Sequence, residues 1–224
     1  MKTRKLITWV IPILVFILLM PFHEKFSVKD EARASKQKPK VLLFIRKGTS
    51  AGVEFMLKEE VGVMTSMLEE SGFEVIVATA SGEPIKSRTT ELIPDLKLAD
   101  VKVNDYAGII MPCMAKGSVP LWHASPQEIS LVKEAVAQGK PIAAQRGAII
   151  ILAEARVLVG KKYTYYFDPE GGNESFEGAI YSGKGVIQDG NIATSSHCPY
   201  MARSYGGDDG TSELTKIFIE TIKD

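Results

Sequence analysis

Short uninterrupted apolar runs alternate along this chain with stretches whose apolar residues recur every three or four positions. Val41–Ile45 is one such run, as expected of a strand buried on both faces. Glu54 to Glu70 then carries Phe55, Leu57, Val61, Met64 and Leu68 at helical spacing, with Gly72 as the stop. Val75–Ala78 and Gly108–Met111 predict further strands. Ser125, Pro126 and Glu128 form a helix start: a capping residue, a proline at the first helical position and a glutamate three after the cap. That helix is predicted to run to Gly139, followed by a strand at Pro141–Ala144 and a helix from Gly147 to Ala155. Val186 to Ala193 predicts a hairpin turning on Asp189-Gly190, and Thr211 to Ile222 a last helix. Strands alternating with helices imply an α/β fold with a mostly parallel, doubly wound sheet. In such sheets the functional crevice lies at the carboxyl ends of the strands. Arg46 to Glu60, Pro112 to Gly117, Gln145 to Ala148 and Ser195 to Met201 are therefore the segments expected to carry function.

The first forty residues follow a different pattern. Lys2, Arg4 and Lys5 precede Leu6 to Phe22, an uncharged run that would span about 25 Å as a helix. It predicts one amino-terminal hydrophobic helix, acting as an uncleaved membrane anchor or a signal peptide over residues 1–22. Residues 23–40 predict a basic, solvated linker, and residues 41–224 the folded domain. The expected location is therefore membrane-anchored or exported, on the extracytoplasmic side.

Composition sharpens this division. The 27 basic and 27 acidic residues cancel over the whole chain, yet residues 1–40 hold nine basic and three acidic ones, a net of +6. The remainder carries −6, which gives the domain no electrostatic case for nucleic acid. Apolar and charged contents of 45% and 24% exclude a disordered or collagen-like chain. Dinucleotide, phosphate-loop and common zinc motifs are absent, so no cofactor and no metal are expected. The acidic group Asp208, Asp209 and Glu213 lacks calcium-loop spacing and is expected to be a solvated loop capping the last helix. Gly48-Thr-Ser50-Ala-Gly52 matches a serine nucleophile elbow in form, but it follows only the first strand, and a glycine-rich loop is the preferred reading.

Lys140 to Ala155, KPIAAQRGAIIILAEA, resembles the strand-to-helix elbow of the PfpI superfamily, whose pattern there runs approximately K-P-[IV]-A-A-x-C-[HAG]-G-x-x-x-L-A-x-A. These are class I glutamine-amidotransferase-like proteins that include an intracellular protease and amidase group and the Parkinson-disease deglycase. Val41 to Ala78, Met111-Pro112, Leu158 to Lys162 and Asp189 to Ser195 extend the resemblance to about residues 40–224. It implies a flavodoxin-like sheet sandwiched by helices and often a homodimer.

The chemistry departs from that pattern. Aligned without gaps, the family cysteine falls on Arg146, whose guanidinium stays protonated and cannot attack. The resemblance places the family's acid at Glu60, the oxyanion loop at Pro112-Cys113-Met114, and the histidine of some members at Tyr166. An Arg146–Glu60 ion pair is expected in place of nucleophile and proton partner. The preferred reading is a pseudoenzyme that binds a small anionic or carbonyl metabolite among Glu60, Cys113, Met114, Arg146, Gly147 and His197. The alternative is a hydrolase, amidase or glyoxalase-type enzyme working through Cys113 or Cys198, with His197 beside the latter. In an exported domain the two cysteines are also candidates for a disulfide. Trp122, His123 and the Tyr163–Phe167 aromatics are a third option, as a surface for a protein partner, although alternation in the latter run more often means a half-buried strand.

Overall fold

The computed structural model describes residues 38–46, 52–114, 123–166 and 173–224, which belong to one unit, Lys38–Asp224. The predicted amino-terminal helix, residues 23–37 of the predicted linker, residues 48–51 of the Ser50 motif, Trp122 and Phe167 lie outside the described residues. Among the described residues no helix is long and apolar enough to cross a membrane.

The first strand, β1 (Lys40–Ile45), is followed by α1 (Val53–Met56), a π-helical segment (Leu57–Gly62) and α2 (Val63–Glu70). β2 (Glu74–Thr79) comes next, then a small antiparallel hairpin of β3 (Ile85–Lys86) and β4 (Glu91–Leu92), the edge strand β5 (Leu96–Lys97) and β6 (Gly108–Met111). The helix α3 (Pro126–Ala137) leads into β7 (Ile142–Gln145), and a 3-10 turn (Arg146–Ala148) into α4 (Ile149–Glu154). β8 (Lys162–Tyr163) pairs in parallel with β9 (Ile180–Tyr181). The chain closes with β10 (Val186–Asp189), β11 (Ile192–Ser195), α5 (Pro199–Tyr205) and α6 (Thr211–Lys223).

Seven strands form the central sheet in the order β10-β11-β7-β6-β1-β2-β5, and only the β10–β11 pair is antiparallel. The mostly parallel α/β sheet expected from the alternating pattern is present. Its central strands are buried on both faces, since Val41 to Ile45 and Ile109 to Met111 have at most 1% exposure. Side chains alternate across the sheet, so Leu42 and Phe44 join one core and Val41, Leu43 and Ile45 the other. The predicted capping box on α3 forms with both of its bonds: Ser125 Oγ accepts from the Glu128 N–H, and the Glu128 carboxylate accepts from the Ser125 N–H. Gly190 adopts φ 60° at the predicted hairpin turn.

One feature was not visible in the periodicity. The helix after β1 is not uniformly α-helical: an i→i+5 segment carries Glu60. Glu60 lies on the buried face of this segment with Leu57 and Val61, at zero exposure. The aromatic segment after β8 is core, since Tyr163 stacks on Phe176 at 5.1 Å and Tyr165 lies 5.2 Å from it. Both tyrosines are at most 2% exposed, which removes them from the predicted partner surface. His123 is exposed and pairs with Glu154 at 2.8 Å.

Candidate functional site

β11, β7, β6 and β1 are consecutive neighbours in the sheet, and the segments leaving their carboxyl ends converge. β1 ends at Ile45 and delivers Arg46; β6 ends at Met111 and delivers Cys113 and Met114. β7 delivers Arg146 and Gly147, and β11 delivers His197 and Cys198. Glu60 approaches from the π-helical segment.

The turn after β7 is strained. Arg146 has φ 38°, a left-handed conformation that an L residue adopts at a cost of about 1–2 kcal/mol. Met114 is similarly placed at φ 33°. These are two of three non-glycine residues with positive φ among the described residues, and both border the same centre.

Cys113 lies at that centre. Its backbone N–H donates to Glu60 Oε1 at 2.8 Å, and the Met114 N–H donates to Oε2 at 3.3 Å. The Glu60 carboxyl thus has a backbone partner on each oxygen, and the expected Arg146–Glu60 ion pair does not form. Arg146 instead directs Nη1 at Cys113 Sγ, 3.8 Å away, and its guanidinium lies over the Tyr166 ring at 4.5 Å. The physical reason is burial: Glu60 lies wholly inside, among backbone donors, whereas Arg146 keeps a partly exposed position against Tyr166. Arg46, only 4% exposed, donates from Nε to the Cys113 carbonyl at 3.1 Å.

Cys198 completes the centre. Both cysteines are buried with free thiols, and Glu60, Cys113 and Cys198 bring their carboxylate and sulfur atoms within 4.8 Å of one another. Among the described residues this is the grouping whose donor types suit a metal ion. The arginine directed at the thiol already supplies positive charge there, which disfavours a cation.

The surroundings divide the protons unequally. A hydrogen bond from the Cys198 thiol holds Cys113 well below the ordinary thiol range, assisted by the Arg146 and Arg46 charges and the Gly147 N–H, and opposed by burial. Cys198 is pushed up because its proton is engaged by Cys113, and burial adds to this. Burial holds the Glu60 carboxyl well above the usual carboxylate range, the Cys113 charge pushes in the same direction, and the two backbone N–H donors oppose it. Burial pulls the Arg146 pKa down, but the Cys113 charge and hydrogen bond outweigh it and hold the group above its ordinary value. Together these shifts favour negative charge on the Cys113 sulfur over the Glu60 carboxyl and keep the proton on Cys198.

The remaining predicted residues are peripheral to that charge. His197 Nδ1 pairs with Ser196 Oγ at 2.7 Å, and burial lowers its pKa. The His197 carbonyl accepts from Gln145 Nε2 at 2.8 Å, and the same Nε2 donates to Thr211 Oγ1 at 2.9 Å. Gln145 is fully buried and anchors the loop that presents Cys198. Tyr166 is half-buried, its hydroxyl pKa raised by burial, and serves as the platform under Arg146. Arg46 and Gln145 fall within segments expected from the sequence to carry function, but the sequence assigned neither a role. The available signal was a charged or amide residue at the end of an otherwise apolar strand, where burial demands a partner.

Comparison with known proteins gives a consistent result. Residues 40–204 match the DJ-1/PfpI family model. An uncharacterised protein of Methanocaldococcus jannaschii is 32% identical over 179 residues, covering 79% of this chain and 83% of that protein. Protein dj-1beta of Drosophila melanogaster is 30% identical over 137 residues, 59% of this chain and 71% of that one. Among solved structures, a ThiJ/PfpI domain protein from Brachyspira murdochii superposes with a TM-score of 0.64 at 15% identity, covering 84% of this chain and 98% of that chain. Drosophila melanogaster DJ-1beta does so with 0.60 at 24% identity, covering 84% and 92%. The extent of the family match and the shared sheet architecture together make this chain a member of the DJ-1/PfpI family.

Proposed function

We propose that this chain is a cysteine-dependent enzyme acting on a small carbonyl compound, with Cys113 as nucleophile. The nucleophile has moved from the elbow, where Arg146 stands, to the neighbouring strand end. The observation that carries the reading is the set of groups around one sulfur: Arg146 Nη1 at 3.8 Å, the Gly147 N–H and the Cys198 thiol, with the Glu60 carboxyl close by. A thiolate so held attacks an electrophilic carbon, and the neutral carboxylic acid beside it is the acid such an addition needs. With an α-oxoaldehyde, the sulfur lone pair forms the C–S bond, the carbonyl electron pair moves to oxygen, and the Glu60 proton passes to that oxygen. Arg146 and the Gly147 N–H are donors placed for the developing oxyanion. The amino-terminal run Leu6 to Phe22 would hold this activity at or beyond a membrane.

A second reading, binding of a small anion without turnover, is favoured by Arg146 Nε, which is buried and has no hydrogen-bond partner among the described residues. The purified full chain assayed on an α-oxoaldehyde and on a chromogenic peptide amide separates the two. Turnover of the aldehyde that falls at least about a thousandfold in Cys113→Ser supports the enzyme, within the range expected when a nucleophile is removed. Turnover unchanged in Cys113→Ser refutes Cys113 as nucleophile, and a wild-type chain silent on both substrates leaves the binding reading.

A further inference from the structure

Addition to a carbonyl requires one thiol, yet the site holds two. Cys113 and Cys198 arrive on the ends of β6 and β11, strands separated in the sheet by β7, and their sulfurs lie within 4.8 Å of each other. They are unbonded and each is 1% exposed. As a donor to the thiolate, Cys198 does nothing a serine would not do. A second thiol differs from a hydroxyl in its ability to form a bond to an oxidised sulfur.

We propose that Cys113 and Cys198 are a hydroperoxide-reducing dithiol pair, in which Cys113 takes the oxygen and Cys198 closes an intramolecular disulfide. The Cys113 sulfur attacks the terminal oxygen of a hydroperoxide and the O–O bond breaks. The departing alkoxide or hydroxide leaves as alcohol or water with a proton from the site, and Cys113 becomes a sulfenic acid. Cys198 sulfur then attacks Cys113 sulfur; the S–O bond breaks, hydroxide takes up the Cys198 proton and leaves as water. An external dithiol returns both cysteines to thiols by exchange, with two electrons and two protons. The balance is one hydroperoxide and one dithiol converted to one alcohol or water, one water and one external disulfide.

The geometry suits each stage. Arg146 Nε, buried and without a hydrogen-bond partner among the described residues, is a donor available to a peroxide oxygen beside the sulfur. The sulfurs must close to about 2.05 Å, a movement that side-chain rotation and a small shift of the strand-end loops supply. Burial of both thiols selects for hydrogen peroxide or a small alkyl hydroperoxide over bulky oxidants such as glutathione disulfide. Stabilisation of the Cys113 thiolate and retention of the Cys198 proton give the order of the two steps.

The test uses the full reduced chain, hydrogen peroxide at one equivalent, alkylation under denaturing conditions, and intact and peptide mass measurement. The expected product is a monomer lighter by two hydrogens, with both thiols lost together and one peptide pair joining Cys113 to Cys198. At pH 6, where an ordinary thiol is only about 0.3% ionised, oxidation should run at least about tenfold faster than in the same chain unfolded in urea. Cys198→Ser should stop at a sulfenic acid on Cys113 that a cyclic dione traps. Three wild-type outcomes overturn the proposal without requiring a variant: Cys113 oxidised to a sulfinic acid while Cys198 remains alkylable, both thiols surviving excess peroxide, or a disulfide joining two chains. No carbonyl substrate enters this measurement, so its failure leaves the carbonyl reading standing, and failure of that reading leaves this one intact.

Discussion

The single negative charge shared by Glu60 and Cys113 makes a quantitative prediction about stability. Two unit charges no more than 4.8 Å apart repel by at least about 3.5 kcal/mol at an effective dielectric constant of 20, a roughly 400-fold change in proton affinity. Glu60 and Cys113 therefore do not ionise together. With Cys113→Ser the repulsion disappears; burial still raises the Glu60 carboxyl, but its two backbone N–H donors favour the ionised form, and that carboxylate becomes the available counter-charge near Arg146. With Glu60→Gln the Cys113 thiolate remains, and the anion is again retained. Only the double variant leaves the arginine without a counter-charge. The cycle is run in a Cys198→Ser background, so that the second thiol cannot take over the charge. Arg146 keeps partial contact with water, which reduces the coupling from its ceiling to about 2 kcal/mol beyond the sum of the single variants. In a domain of this size that is about 4–8 °C in melting temperature. Thermal unfolding of the four full-length chains at pH 7 reads it directly. Additivity within about 0.5 kcal/mol would show that the two groups titrate independently, and the shared-charge account would fail.

Three further outcomes follow from named contacts. At φ 38°, Arg146→Gly should unfold at higher temperature than Arg146→Ala, by about 1 kcal/mol after the usual helix and entropy terms, because only glycine is unstrained there; equal melting temperatures would mean the turn relaxes. A Cβ on Gly108 would lie 2.9 Å from the Phe218 ring and 3.0 Å from the Pro141 carbonyl, so Gly108→Ala should cost about 1–3 kcal/mol in urea unfolding. The lowered Cys113 pKa fixes a sign. Its stabilisation is fully present above the unfolded thiol value of about 8.5 and is lost as pH falls through the folded one. In a Glu60→Gln background, the stability lost on Cys113→Ser should therefore grow with rising pH and level off near pH 8.5; a loss that does not change with pH would contradict the depressed thiol.

Much of the architecture was legible because it is local. Five consecutive apolar residues at Val41–Ile45 can only be satisfied between two covering layers, and the Ser125, Pro126 and Glu128 cap closes as its chemistry requires. The strand-end segments identified as functional from the alternating pattern are the ones that converge. The edge strand β5 and the short β8–β9 pair were not legible, since two residues carry no periodicity. Glu60 was identified through the family resemblance, but its partner was not. Its carboxyl accepts from the Cys113 and Met114 N–H groups at the end of β6, a pairing set by strand placement across the sheet and not by the helical pattern.

The sequence by itself determined the central strands and the longer helices, and which residue types reach the strand ends. Those properties depend on covalent geometry and on burial patterns within a few residues. The charge state of the site was decided by tertiary structure alone. Cys113 and Cys198 are ordinary thiols and Glu60 an ordinary acid until strand order places them within 4.8 Å of one another and beside Arg146. Parallel packing of β11, β7, β6 and β1 sets these distances, and electrostatic energy inside a protein depends on distance and solvent exclusion, neither of which is written in the order of residues.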